Sequence, residues 1–122
     1  MVRVLEVIWI YDTQIDPQHW KMAVCVAPRF GLFFRINSND HWKPAVAIRE
    51  ADHPFLQWDS YIECGVPLDL DDSLIEASLT ERGVVGRIDR RVVAGILHAV
   101  DTNDLIAAGD KRNIRNALIN VR

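Results

Sequence analysis

Five residues near the middle of the chain carry side chains suited to phosphate and acid–base chemistry: Lys43, Arg49, His53, Asp59 and Ser60. Lys43 and Arg49 flank the short apolar run Ala45–Ile48. Cations so placed can grip a phosphate and stabilise the charge that develops when it is cleaved. His53, Asp59 or Ser60 would then assist proton transfer to or from a hydroxyl. Ser60 becomes a nucleophile only where a histidine approaches it in space, and His53 is the nearest in sequence. The competing assignment for Asp59 and Ser60 is turn chemistry, with both side chains bonded to backbone groups. Trp42 and Trp58 offer stacking faces close by. A second set of cations, Arg82, Arg87, Arg90 and Arg91, surrounds the Gly83–Asp89 connection. It reads either as a phosphate grip or as a solvated face with Glu81 and Asp89 as partners.

Other chemistries lack their residues. His19, His41, His53 and His98 fall in no Cys-x-x-Cys or His-Glu-x-x-His frame, so no metal is expected. Gly83-Val84-Val85-Gly86 is too short and too apolar for a phosphate loop, and no cofactor is expected. No Gly-x-Ser-x-Gly elbow exists.

The elements that must position these residues change period along the chain. Val2–Tyr11, Met22–Ala27, Leu32–Ile36, Ala45–Ile48 and Trp58–Cys64 read as strands, the last by its alternation of apolar and polar residues. Pro28 is expected to end the second strand and Arg29-Phe30-Gly31 to turn it into the third. Beyond Gly65-Val66-Pro67 the pattern becomes helical. Ser73 and Glu76 have capping-box spacing, with Leu70, Leu74, Ala77 and Leu79 expected inward. Val84–Ile88 suggests a last short strand, and Asp89 a cap for a helix buried through Val92, Val93, Ile96, Leu97 and Val100. A third helical stretch is expected from Thr102 or Asp104, broken at Gly109 and restarted at Asp110.

The 122 residues suit one domain, β-rich over 1–66 and mainly helical over 67–122. The expected fold is α+β: a small, strongly bent antiparallel sheet or SH3-like barrel followed by two or three helices. All ten aromatic residues lie at or before Tyr61, which predicts an aromatic core in the β half with Trp58 as an anchor. A net charge of −3 argues against binding nucleic acid by bulk positive charge, though not against a local basic face. No apolar run reaches the ~20 residues of a membrane span, and Glu6 interrupts the apolar N-terminus of what would be a signal peptide. Cys25 and Cys64 are expected to be buried free thiols, which suits a cytoplasmic setting.

Trp42-Lys43-Pro44-Ala45-Val46-Ala47-Ile48, Asp59-Ser60-Tyr61-Ile62 and Gly86-Arg87-Ile88-Asp89, in that order, resemble the MazF/PemK toxin group over roughly residues 22 to 100. The resemblance implies an SH3-like barrel, a homodimer, metal-independent cleavage of RNA, and an antitoxin protein as partner. Lys43-Pro44 stands where the family carries Arg-Pro, and the family's catalytic Thr has no counterpart. The alternative from another class is a non-enzymatic protein-binding module that uses a sheet edge and exposed aromatic residues.

Overall fold

The computed structural model describes residues 1–121. In chain order the elements are β1 (Glu6–Asp12), β2 (His19–Ala27), β3 (Leu32–Asn37), β4 (Ala45–Ile48), β5 (Ser60–Glu63), β6 (Leu68–Asp69), α1 (Asp72–Glu81), β7 (Val84–Arg87), α2 (Val93–Thr102) and α3 (Ala108–Ile119). The strands form one antiparallel sheet in the order β4-β5-β3-β2-β1-β7, with β6 paired to β3. The sheet curls into a half-barrel whose edges are β4 and β7, an α+β fold as the residue pattern predicts.

The hairpin joining β2 to β3 forms because Pro28 opens a 3-10 turn and Gly31, at φ 64°, takes the left-handed conformation that closes it. A side chain at Gly31 would run into the carbonyl of Leu70, while the Leu70 N–H donates to the Gly31 carbonyl at 2.9 Å. This glycine therefore serves both the turn and the docking of the chain behind it.

Strand alternation sorts the side chains onto two faces. Val7, Val24, Val26, Phe34, Ile36 and Ile62 occupy one face and form the larger core. α2 covers them with Val93, Ile96 and Val100, and α3 with Ile114 and Leu118. Ile8, Ile10, Ala23, Cys25 and Phe33 occupy the opposite face and pack with Leu68 and with Ile75 of α1. Burying Ile75 is worth roughly 1.5–3 kcal/mol, which is what holds this short helix against β1. α1 covers only part of its face. Beyond it the same face carries Asp12, Lys21, Arg35, Asn37 and Glu63.

Several expectations are corrected. The core is aliphatic around Phe33 and Phe34, not aromatic throughout. Trp58 is 54% exposed and Trp42 65%, because both belong to the connections flanking β4 and β5 and not to the sheet interior. β5 begins at Ser60, two residues later than the alternation suggests. α1 turns Ile75 and Ser78 inward and leaves Leu74 exposed; its N-cap is Asp71, and no side chain caps it. Ser78 is inward because its hydroxyl donates to the Trp9 carbonyl. Gly109 does not break α3, since it lies in the first turn, where a helix has few internal bonds to lose. Asp89 caps the 3-10 turn Arg90–Val92 that leads into α2, its Oδ1 accepting the Arg91 N–H at 2.8 Å, whereas α2 itself starts after Val92 with no side-chain cap. Among the described residues no helix is long and apolar enough to cross a membrane.

Candidate functional site

The five residues singled out from the sequence fall into two groups. Lys43 is exposed on the connection before β4 and pairs with Asp40 at 3.0 Å. That hydrogen bond, with the Lys43 charge, holds the Asp40 carboxyl below its usual range. Arg49 is exposed at the other end of β4, roughly 20 Å away at ~3.3 Å per residue. The two cations do not meet at one phosphate.

Arg49, His53, Asp59 and Ser60 share a neighbourhood, but three of these side chains are occupied by the backbone. The buried His53 donates its Nδ1–H to the Arg49 carbonyl at 2.7 Å and accepts the Asp89 N–H on Nε2 at 3.1 Å. Both ring nitrogens are used, which fixes the tautomer. Asp59 Oδ1 accepts the Glu50 N–H at 2.9 Å. Ser60, 4% exposed, donates its hydroxyl to the Trp58 carbonyl at 3.0 Å. Asp59 and Ser60 thus take the turn roles named as their alternative.

A second constellation forms on the part of the sheet that α1 leaves uncovered. Cross-strand pairing sets Ala23 of β2 opposite Arg35 of β3, so Lys21 and Asn37 emerge on the same face one step further along. Asn37 pairs with Tyr61 in β5, which brings Glu63 alongside. Lys21 Nζ donates to Asn37 Oδ1, and Asn37 Nδ2 donates to Glu63 Oε1 at 2.8 Å. The Arg35 guanidinium bonds the buried Asp12 carboxylate, donates to Gln14 Oε1 at 2.9 Å, and has Nη1 3.9 Å from Glu63 Oε2.

Gln14, Lys21, Arg35, Asn37 and Glu63 border an open basin of about 590 Å³, with Asp16, His19 and the exposed Trp42 also lining it. That volume is within the range of small-ligand sites. Burial pulls the Lys21 amine below its ordinary pKa, against the opposing charges of Glu63 and Asp12. Burial also pushes Asp12 upward, but the hydrogen bonds from Arg35 and the Gln14 amide outweigh it, and the carboxyl titrates below its usual value. Asp12 and Arg35 thus form a fixed pair beneath the basin. Lys21 has donors left over, and so does Arg35 Nη1. Glu63 Oε2 keeps acceptor capacity. His19 donates Nδ1–H to the Pro17 carbonyl at 2.7 Å, which leaves Nε2 for a ligand.

No family model matches the chain, and no curated protein matches it.

Of the four arginines around Gly83–Asp89, Arg82 lies over the Trp20 ring at 4.2 Å and the Trp9 ring at 5.7 Å. Arg91 pairs with Asp89 at 2.9 Å and Asp52 at 3.5 Å. Arg87 and Arg90 have no ion-pair partner among the described residues.

The basin residues were legible only as anomalies. Lys21 stands immediately before the apolar run Met22–Ala27 of β2, Arg35 interrupts Leu32–Ile36, and Glu63 sits between Ile62 and Cys64. A charge within a largely apolar strand needs a partner or a ligand, because burying it alone is expensive.

Proposed function

We propose that the basin bounded by Lys21, Arg35, Asn37 and Glu63 binds RNA and cleaves it without a metal ion. The observation that carries this reading is the convergence of spare cationic donors and the Glu63 carboxylate beside a histidine and an exposed indole, with Asp16 as a second carboxylate in the lining. The ribonuclease activity that goes with the MazF/PemK resemblance is thereby assigned to residues other than Lys43 and Arg49. Glu63 accepts the proton of a ribose 2′-hydroxyl as that oxygen attacks the adjacent phosphorus. Lys21 and Arg35 stabilise the charge on the pentacoordinate phosphate. His19, donating from Nε2 in its protonated form, supplies the proton to the departing 5′-oxygen, and the upstream product keeps a 2′,3′-cyclic phosphate. Trp42 stacks on a base and holds the strand in register.

The experiment is incubation of purified protein with single-stranded RNA in excess chelator, with analysis of the product ends. Cyclic phosphate termini support the reading. Intact RNA, or cleavage that requires added divalent metal, overturns it.

A second reading is favoured by the β4 edge. Pro44 accepts the Cys64 N–H, so in this antiparallel pair Val46 and Ile48 bond β5 while Ala45 and Ala47 direct their N–H and C=O groups away from the sheet. Trp42 and Trp58 stand exposed near the two ends of this strand. An extended peptide would add here as a further strand. Ala47→Pro removes one outward N–H and should weaken such a partner without affecting RNA cleavage. Equal partner binding by this variant would set the reading aside.

A further inference from the structure

Far from the basin, at the opposite end of β2, three carboxamides line one side of a cleft. Asn113 and Asn116 of α3 and Asn120, the residue that ends it, recur at helical spacing and so share one side of the helix. The opposite wall comes from the β2–β3 turn, with Arg29 and the half-exposed ring of Phe30. The cleft holds about 450 Å³ and no carboxylate lines it. Asn120 Nδ2 donates to the Asn116 carbonyl at 3.3 Å, whereas the side-chain amides of Asn113 and Asn116 have no partner among the described residues.

Asn120 also borders a neighbouring groove of about 750 Å³ that contains Arg87 and Arg90, together with Asp52 and Asp89, whose carboxylates both pair with Arg91. An aromatic face, unspent carboxamides and nearby unpaired guanidinium groups select a ligand that is planar, rich in hydrogen-bonding edges and negatively charged at one end.

We propose that this cleft is a nucleotide-binding site. The base stacks on Phe30 and pairs its edge with Asn113 and Asn116, because a carboxamide offers one donor and one acceptor side by side. The phosphate extends past Asn120 towards Arg87 and Arg90. Lys21 and the end of β2 at Ala27 are separated by roughly 20 Å at ~3.3 Å per residue, so this site is separate from the basin. The same chemistry is presented by a free nucleotide and by one residue of a single strand.

The test titrates wild-type protein with AMP, GMP, CMP and UMP, and with a short single-stranded DNA that a ribonuclease cannot cleave, following the Asn side-chain amide signals by NMR. Saturable shifts at Asn113 and Asn116 are expected, with affinity reduced about tenfold or more in Phe30→Ala and in Asn113→Ala. Arg90→Ala should weaken a nucleoside monophosphate but not the matching nucleoside. Lys21→Met should bind as the wild type does, which keeps this result independent of the basin. Binding of mononucleotides identifies a free nucleotide as sufficient; binding of the oligonucleotide alone, still sensitive to Phe30→Ala, identifies a base held within a strand. No shift with any probe at millimolar concentration, or binding unchanged in Phe30→Ala, overturns the proposal.

Discussion

His53 Nε2 accepts the backbone N–H of Asp89 at 3.1 Å, although one residue lies between β4 and β5 and the other between β7 and α2. Its other nitrogen is bound to Arg49, and its ring meets Phe55 edge-on at 5.8 Å. This one imidazole ties the β4–β5 connection to the residue that caps the entry to α2. Histidine chemistry at this position is spent on architecture.

His53→Ala should therefore destabilise the fold. It leaves a buried cavity and orphans the Arg49 carbonyl and the Asp89 N–H, a loss on the order of 2–5 kcal/mol. A urea melt checks this. An unchanged midpoint would show that the ring is not a structural tie.

Trp58→Ala and Phe33→Ala should differ sharply. Phe33 is fully buried and its truncation should cost about 3–5 kcal/mol, whereas the exposed Trp58 should change stability by no more than about 0.5 kcal/mol. Parallel denaturant melts give the ranking. A larger loss for Trp58→Ala would restore that residue to the core.

The contrast shows what the sequence made legible. The change from alternating to helical periodicity near Gly65, the Pro28–Gly31 turn and the Asp89 cap are local signals, and each corresponds to an element of the fold. The tryptophans misled because hydrophobicity alone does not separate a core residue from one in a connection; only the alternation of the strands that bury Phe33 and Phe34 does. The basin was harder. Lys21, Arg35 and Glu63 lie on three different strands, and their meeting depends on cross-strand register, which no short motif encodes. The grouping of Arg49, His53, Asp59 and Ser60 was legible as proximity, but not the backbone groups that claim their side chains.

Cys25 and Cys64 should resist modification. Burial pushes both thiols up to about 12 from an ordinary value of 9.0. A thiol reagent at pH 8 should find almost no reactive cysteine in the native protein and two after denaturation. The sign of the linkage follows: the unfolded chain releases these protons near pH 9 and the folded chain only near 12, so stability should fall as pH rises across that window. Rapid native labelling, or stability flat through that window, would contradict the burial.

Asp12 should act in the opposite sense. Its carboxyl titrates below 3.8 in the folded state, so its pairing with Arg35 stabilises the protein above that pH and is lost as pH falls through the lowered value. Asp12→Asn should lower stability at neutral pH by about 1–3 kcal/mol and make the acid limb of the stability curve shallower. An acid limb of unchanged slope would mean that the pair is not coupled to folding.

Gly86 faces the Phe55 ring so closely that any side chain there would overlap it. Gly86→Ala should cost about 1–3 kcal/mol, and Phe55→Leu in the same molecule should recover part of that loss. Strict additivity of the two changes in a double-mutant cycle would refute the contact.

In the proposed ribonuclease reaction Lys21 is the group that stabilises the reacting phosphate. The direct measurement is the single-turnover rate of RNA cleavage in excess chelator for the wild type and for Lys21→Met, each first shown by thermal melt to be folded. The rate should fall ~100- to 1,000-fold in the variant while its stability changes by about 1 kcal/mol. A folded Lys21→Met that cleaves as fast as the wild type would contradict the assignment.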